Sequence, residues 1–234
     1  MAFLRPFDPA DADQAAYICR ATLLPGLGWS ELAARLAPVA LRVLTVEWPS
    51  RRKQCFVLDD GTGKAVGYVL GCPDVFAFVA AYRPYVDQVL ASDVPPPAQL
   101  ETQVPLLVPR PLAAAAEGGE TEINPECLVQ WAYKPEWVMG FRDKADMLEA
   151  HRATLHIDLL PEFQRQGWGR KLVDLFVGSI RQSVRDGQGD MGRGVHLFIG
   201  EENKQVVDFY QKCGFRLRDG GDKRTYWLVK DVDV

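Results

Sequence analysis

Gln164-Arg165-Gln166-Gly167-Trp168-Gly169-Arg170 lies between two segments of different period, and its reading decides the fold. Before it, Ala153-Thr154-Leu155-His156-Ile157-Asp158-Leu159-Leu160 alternates in the manner of a strand and stops at Pro161. After it, Leu172, Leu175, Phe176 and Ile180 fall on one face of a helix expected over residues 167–184. Glycines in a strand-to-helix turn let the backbone come close to a ligand. The helix N-terminus presents N–H groups and the positive end of the dipole, which suit a pyrophosphate. Arg165, Arg170 and Lys171 add local positive charge. Taken alone, however, two glycines serve a structural turn equally well.

Working outward, Val195–Ile199 reads as a buried strand, residues 203–212 as a helix, and residues 215–218 and 225–229 as closing strands. Tyr210 follows Asn203 by seven residues, about two helical turns, so the expected helix carries both on one face. Lys212, Gly214 and Phe215 complete the pattern. Upstream, residues 4–7 suggest a first strand. A helix follows over residues 11–23, with Ala15, Ile18, Cys19 and Thr22 on its apolar face. Ser30 would cap a second helix bearing Leu32, Leu36, Val39 and Val43. Residues 54–58 and 65–71 form a hairpin about the turn Asp59-Asp60-Gly61-Thr62-Gly63-Lys64.

Residues 74–150 read least clearly. Pro95-Pro96-Pro97, Pro105, Pro109, Pro111, four alanines from Ala113 and Gly118-Gly119 suggest a surface excursion, partly loop, inside one domain. Its aromatic flanks (Phe76, Phe78, Tyr82 and Tyr85; Trp131, Tyr133, Trp137 and Phe141) either pack or line a pocket.

The composition excludes several classes. With 234 residues the chain can bury a full core, and its formal charge of −4 argues against direct nucleic-acid binding. The five cysteines are odd in number and form no CxxC pair, so they read as reduced thiols and no metal site is expected. Arg5 and Pro6 interrupt any signal-like start, and Arg35, Pro38 and Arg42 break the longest apolar stretch. The expectation is a soluble cytoplasmic or nuclear protein with no membrane partner.

Together the two motifs resemble the GNAT acetyltransferase superfamily. Its Q/R-x-x-G-x-G/A signature is matched by Gln164, Gly167 and Gly169, after Leu159, Pro161, Glu162 and Phe163. Its N-x-x-A-x-x-x-Y-x-K-x-G-F pattern is matched by Asn203, Tyr210, Lys212, Gly214 and Phe215, with Val206 in place of the alanine. A further similarity, to the C-terminal acetyltransferase-like domain of animal O-GlcNAcase and its stand-alone relatives, runs through residues 55–60, 67–71, 74–75, 155–158 and 209–210. That animal domain is regarded as a pseudo-acetyltransferase with a degraded cofactor loop, whereas this chain keeps the glycines.

The resemblance implies an α+β GNAT fold over residues 1–234: a mixed, mostly antiparallel sheet flanked by helices, with residues 74–150 inserted between the third and fourth strands. It implies acetyl-CoA as cofactor, its pantetheine arm held by backbone of Ile157, Asp158 and Leu159. The pyrophosphate would lie against Gln164, Arg165, Gln166, Gly167, Trp168, Gly169 and Arg170, with Asn203, Tyr210 and Lys212 nearby. An acceptor amine, on a protein lysine or a small molecule, would attack the thioester directly, with Tyr210 serving the leaving thiolate. Asp158 is the candidate base, since burial would raise a carboxyl pKa toward a useful range; pairing with a basic side chain is the competing reading. His156 shares its strand face, and Asp74 could line the acceptor side. The alternative is a catalytically inactive acetyl-CoA-binding module that recognises another protein.

Overall fold

The hairpin read at residues 59–64 is the first element that the computed structural model bears out, and the chain builds around it. The structure describes residues 1–22, 54–84, 86–87, 95–109, 121–139, 141, 144–188, 190–218 and 225–233. The helix expected after Ser30 lies outside them.

β1 (Phe3–Pro6) passes through a 3-10 turn into α1 (Ala12–Thr22). At that turn the Asp8 carboxylate accepts from the Ala10 amide at 2.9 Å, while the Asp8 amide donates to Asp11 at 2.8 Å. This reciprocal cap fixes the helix start. β2 (Phe56–Asp59) and β3 (Ala65–Cys72) form the hairpin. Asp59 holds its turn by accepting from the Gly61 and Gly63 amides at 2.8 and 3.1 Å. Arg5 bridges Asp59 and Asp11 at 2.9 and 2.7 Å, which ties β1 to both turns.

Residues 74–150 are more ordered than their composition suggested. They contain α2 (Val75–Ala80), a small two-stranded sheet of β4 (Leu107–Pro109) and β5 (Thr121–Ile123), then α3 (Pro125–Tyr133), α4 (Pro135–Val138) and α5 (Ala145–Ala150). Pro125 and Pro135 are first-turn helix residues, where a missing N–H costs nothing. Phe78, Tyr82, Ile123, Leu128, Val129, Met147 and Leu148 build a core of their own, and it joins the main sheet through Cys72, Trp227 and Val229. Fully buried Gln130 anchors the remaining loop, receiving the Val104 amide and donating to the Gln99 and Thr102 carbonyls. The aromatic flanks mainly pack: Phe76 meets Phe141 edge-on at 5.0 Å, and Phe78, Tyr82 and Trp137 are buried. Tyr82 and Tyr133 also border a cavity of about 330 Å³. Tyr85 is outside the described residues.

β6 (Ala153–Leu159), α6 (Trp168–Arg185), β7 (Gly194–Gly200), α7 (Val207–Lys212), β8 (Arg216–Arg218) and β9 (Thr225–Asp231) follow. The seven-stranded sheet has the order β1-β2-β3-β6-β7-β9-β8, and only the β6–β7 neighbours run parallel. α6 lays Leu172, Val173, Phe176, Val177 and Ile180 on one sheet face, against Val69, Leu155, Leu197 and Leu228. Burying an aromatic such as Phe176 contributes about 1.5–3 kcal/mol. The helix can come this close because residue 71 is glycine: a Cβ there would run into the Phe176 ring and the Gln54 carbonyl. α1 covers part of the other face, with Ile18 against Leu58, Tyr68 and Leu70.

His196 is wholly buried at the inner end of β7, and its Nδ1–H donates to the His151 carbonyl at 2.6 Å. Burial pushes its pKa from 6.5 down to about 4. The folded chain thus keeps His196 neutral down to about pH 4, while the unfolded chain takes up the proton near 6.5. This group's stability is present in full above pH 6.5 and is lost as pH falls toward 4, by about 3 kcal/mol. His196→Asn should flatten the fall in urea-unfolding stability across that window. It should not abolish it, because burial also lowers His151. An unchanged slope would show that His196 does not carry the effect.

Candidate active site

The one parallel contact of the sheet is two residues long: Ala153 pairs with Val195 and Thr154 with His196. Beyond Thr154 the two strands diverge. β6 stays in register with β3 as far as Leu159, while β7 stays with β9 as far as Gly200. Residues 155–159 therefore face a gap on their β7 side.

The signature turn closes one end of this gap. Gln164 stabilises it from within, its amide donating to the Leu159 carbonyl at 2.8 Å, and Gln166 donates to the Glu162 carbonyl at 2.6 Å. Both glutamines thus hold the turn through their side chains. Arg165 takes φ +57° and Gly167 φ +83°, the left-handed region that disfavours side chains. A Cβ on Gly167 would point into open space, whereas one on Gly169 would press on the Phe209 ring at 3.2 Å. Gly167 is required by its backbone angle, and Gly169 by the close approach of α7. Among the described residues no side chain caps the N-terminus of α6, so its first amides are left for another partner. Arg170 is exposed and reaches the Lys212 carbonyl at 3.4 Å, and the Lys171 ammonium sits 4.1 Å from the Trp168 ring centre.

Tyr210 is buried beside the gap, edge-on to Phe209 at 5.0 Å and to Phe215 at 5.7 Å. Burial, and then the Asp158 charge, raise its pKa above the ordinary 10. Asn203 does not share a helix face with it, which corrects the sequence reading. Residues 201–206 form a 3-10 turn that is broken at Asn203 (φ −117°, ψ 21°), and the α-helix starts only at Val207. Exposed Asn203 instead accepts from Gln205 at 2.7 Å. Exposed Lys212 enters through its carbonyl.

On the α1 face, His156 and Asp158 come together as strand alternation predicted. His156 Nε2 lies 3.0 Å from Asp158 Oδ2, and the Tyr68 hydroxyl donates to that same oxygen at 2.5 Å. Tyr68 sits directly opposite Asp158 in the β3–β6 register and is fully buried. Burial, and then the Asp158 charge, push its pKa well above 10, so it remains a donor. For half-exposed His156, partial desolvation favours the neutral ring. The charge and hydrogen bond of Asp158 outweigh this and raise the pKa well above 6.5. The Cys19 sulfur of α1 lies within 4.8 Å of a His156 ring nitrogen and an Asp158 carboxylate oxygen.

Sequence reasoning missed Tyr68 and Cys19 as members of this cluster. Each occupied a hydrophobic position in its pattern, and only the sheet register and the α1 packing bring them to Asp158. Asp74, by contrast, is not part of the cluster. Its carboxylate caps α2, accepting from the Phe76 and Ala77 amides at 3.0 and 3.2 Å. It lies beside Arg152, whose carbonyl receives the Val75 amide, six residues from Asp158 along the chain and roughly 20 Å away at strand rise.

Residues 121–215 match the model of the acetyltransferase (GNAT) family. Among solved structures, SsHAT is similar over 100% of this chain and 99% of its own, with a TM-score of 0.74 and 27% identity. PH1933 from Pyrococcus horikoshii OT3 covers both chains fully with a TM-score of 0.54 and 13% identity, a likeness of fold alone. The chloroplastic GCN5-related N-acetyltransferase 2 of Arabidopsis thaliana is 39% identical over 70 residues, 30% of this chain and 23% of that protein. The chain thus spans less than a quarter of that relative's length. The fold is the GNAT fold, an α+β architecture with a mostly antiparallel mixed sheet flanked by helices. Over residues 121–215 the chain is similar in sequence to the GNAT acetyltransferases, and its fold is theirs. No helix among the described residues is long and apolar enough to cross a membrane.

Tyr68→Phe removes one donor from the Asp158 carboxylate without changing ring volume. It should cost about 1.5–3 kcal/mol in urea unfolding, the range for a hydrogen bond to a charged group. Unchanged stability would mean that this hydroxyl does not hold Asp158.

Proposed function

We propose that the chain is an acetyl-CoA-dependent N-acetyltransferase in which an amine attacks the thioester directly, within the gap between β6 and β7. The observation that carries this reading is the two-residue parallel pairing, which leaves the edge of β6 free beside the uncapped start of α6. The pantetheine arm runs along residues 157–159 and adds to β6 as a strand would. The pyrophosphate lies on the first amides of α6, with Arg165 and Arg170 supplying charge. The likeness of several segments to the O-GlcNAcase C-terminal domain belongs to the same reading.

Asp158 and Tyr210 flank the gap from opposite sheet faces. Strand alternation sets Asp158 opposite Ile157, which packs with the α6 cluster that also contains Tyr210. An acceptor ammonium with pKa near 10.4 must lose a proton before attack. Asp158 takes it through Oδ1, because the bonds from Tyr68 and His156 both fall on Oδ2. Nitrogen attack forms a C–N bond, and the C–S bond then breaks. Tyr210, held protonated by burial, donates a hydrogen bond to the leaving sulfur. Full transfer would be uphill, because a thiol's pKa near 8.5 lies below that of the phenol. The amine enters over the face bearing Asp158, where Phe198 of β7 is 43% exposed.

A second reading, a module that binds acetyl-CoA without turnover, draws on one observation. Asp158 is already engaged by His156 and Tyr68, as a purely structural acid would be.

Acetyl-CoA titration by calorimetry should give 1:1 binding, and Gly167→Glu should weaken it at least tenfold, through left-handed strain and a carboxylate set against the phosphates. Equal affinity in a folded variant would remove the turn from the site. In turnover of an amine panel, Asp158→Asn should lower kcat by about 10²–10⁴-fold. Tyr210→Phe should lower it by about 10–100-fold, both variants keeping cofactor affinity. Binding without turnover of any amine would favour the second reading.

A further inference from the structure

Three groups of different chemistry meet on the α1 face of β6. The Cys19 sulfur, a His156 ring nitrogen and an Asp158 carboxylate oxygen all lie within 4.8 Å of one another. Among the described residues this is the one such gathering of metal-ligating side chains. We propose that Cys19, His156 and Asp158 form a Zn²⁺ site whose occupancy blocks acetyl transfer. The site itself stands on the geometry alone, whereas the block rests on the assignment of Asp158 as the proton acceptor.

The donor set selects the metal. Zn²⁺ takes thiolate, imidazole and carboxylate together, whereas Ca²⁺ and Mg²⁺ prefer all-oxygen ligands. Zn²⁺ bonds of about 2.0–2.3 Å in a tetrahedron put the donors about 3.3–3.7 Å apart. The His156–Asp158 pair stands at 3.0 Å and no pair exceeds 4.8 Å, so rotamer adjustments on the order of 1 Å close the site. Three protein ligands leave a fourth position open, as in zinc sites that exchange solvent. The Tyr68 hydroxyl, bonded to Asp158, is placed as an outer-shell partner that orients the carboxylate. Access is open, since the His156 side chain is 44% exposed. The other four cysteines are buried, and Cys19 is not.

Binding involves no redox change. The Cys19 S–H bond is exchanged for an S–Zn bond, its proton leaves to solvent, and any second proton on the His156 ring leaves with it. The Asp158 carboxylate, now shared with the cation, no longer accepts a proton from an incoming ammonium. An ammonium is also repelled by the metal charge.

The test uses the metals alone on the full chain freed of metal by chelation. Co²⁺ should give a near-ultraviolet sulfur-to-metal charge-transfer band and intensified visible bands of tetrahedral form, at one equivalent. Both should vanish in Cys19→Ser and in Cys19→Ala, and two variants guard against a folding defect in either one. Zn²⁺ titrated by calorimetry should bind 1:1 to the native chain and at least tenfold more weakly to both variants. Absence of the charge-transfer band, or Zn²⁺ affinity unchanged in both variants, overturns the site. For the block, turnover with and without one equivalent of Zn²⁺ is compared within each protein. Loss of turnover at least tenfold in the native chain but not in the Cys19 variants supports it. Full turnover with Zn²⁺ bound through Cys19 overturns both the block and the role of Asp158, while the site stands.

Discussion

The rest of the molecule depends on the two-residue parallel contact between β6 and β7. Each strand is committed elsewhere: β6 to β3 through six register pairs, and β7 to β9 through seven. Strands locked into separate half-sheets follow the right-handed twist of their own partners, and a short parallel contact cannot hold them together further out. The result is an edge left open in the middle of a sheet, where backbone groups ordinarily have to be paired. The fold supplies beside it a helix start with no side-chain cap. An extended anionic ligand would satisfy both deficits at once.

The second consequence is electrostatic. Asp158 lies on the rim of the gap, between an apolar sheet and solvent, and its charge is held by Tyr68 across the strand pair and His156 two residues along. A buried carboxylate with no donors would be expensive, and two partners on a single oxygen leave the other oxygen available. The same arrangement brings in the Cys19 sulfur. One cluster thus gathers a thiol, an imidazole and a carboxylate.

Sequence reading reached furthest where structure is local. The hairpin at residues 59–64, the strand–turn–helix from β6 to α6, and the closing strands all rest on short-range period and turn chemistry. Where two readings of one residue type compete locally, it went wrong. The excursion read as partly loop holds α3 and α4, and the polar cap Asn124 before Pro125 was a usable signal. Asn203 and Tyr210 are spaced for one helix face, but the segment leaves β7 through a 3-10 turn of three residues per turn, which changes their phase. Asp74, read as lining the acceptor side, caps α2 through the Phe76 and Ala77 amides.

By itself the sequence determined the glycine turn between β6 and α6. Gly167 and Gly169 sit at fixed offsets from a strand and a helix, and a backbone angle and a close approach at those offsets need nothing beyond the local chain. It also determined that His156 and Asp158 share a strand face, because side chains alternate with a period of two. Only the tertiary structure decided that Tyr68 and Cys19 join them. One arrives by strand register and the other by helix packing, from positions 90 and 139 residues before Asp158 (158 − 68 and 158 − 19). Such long-range neighbours are set by which faces the core buries together, and no local period encodes that choice.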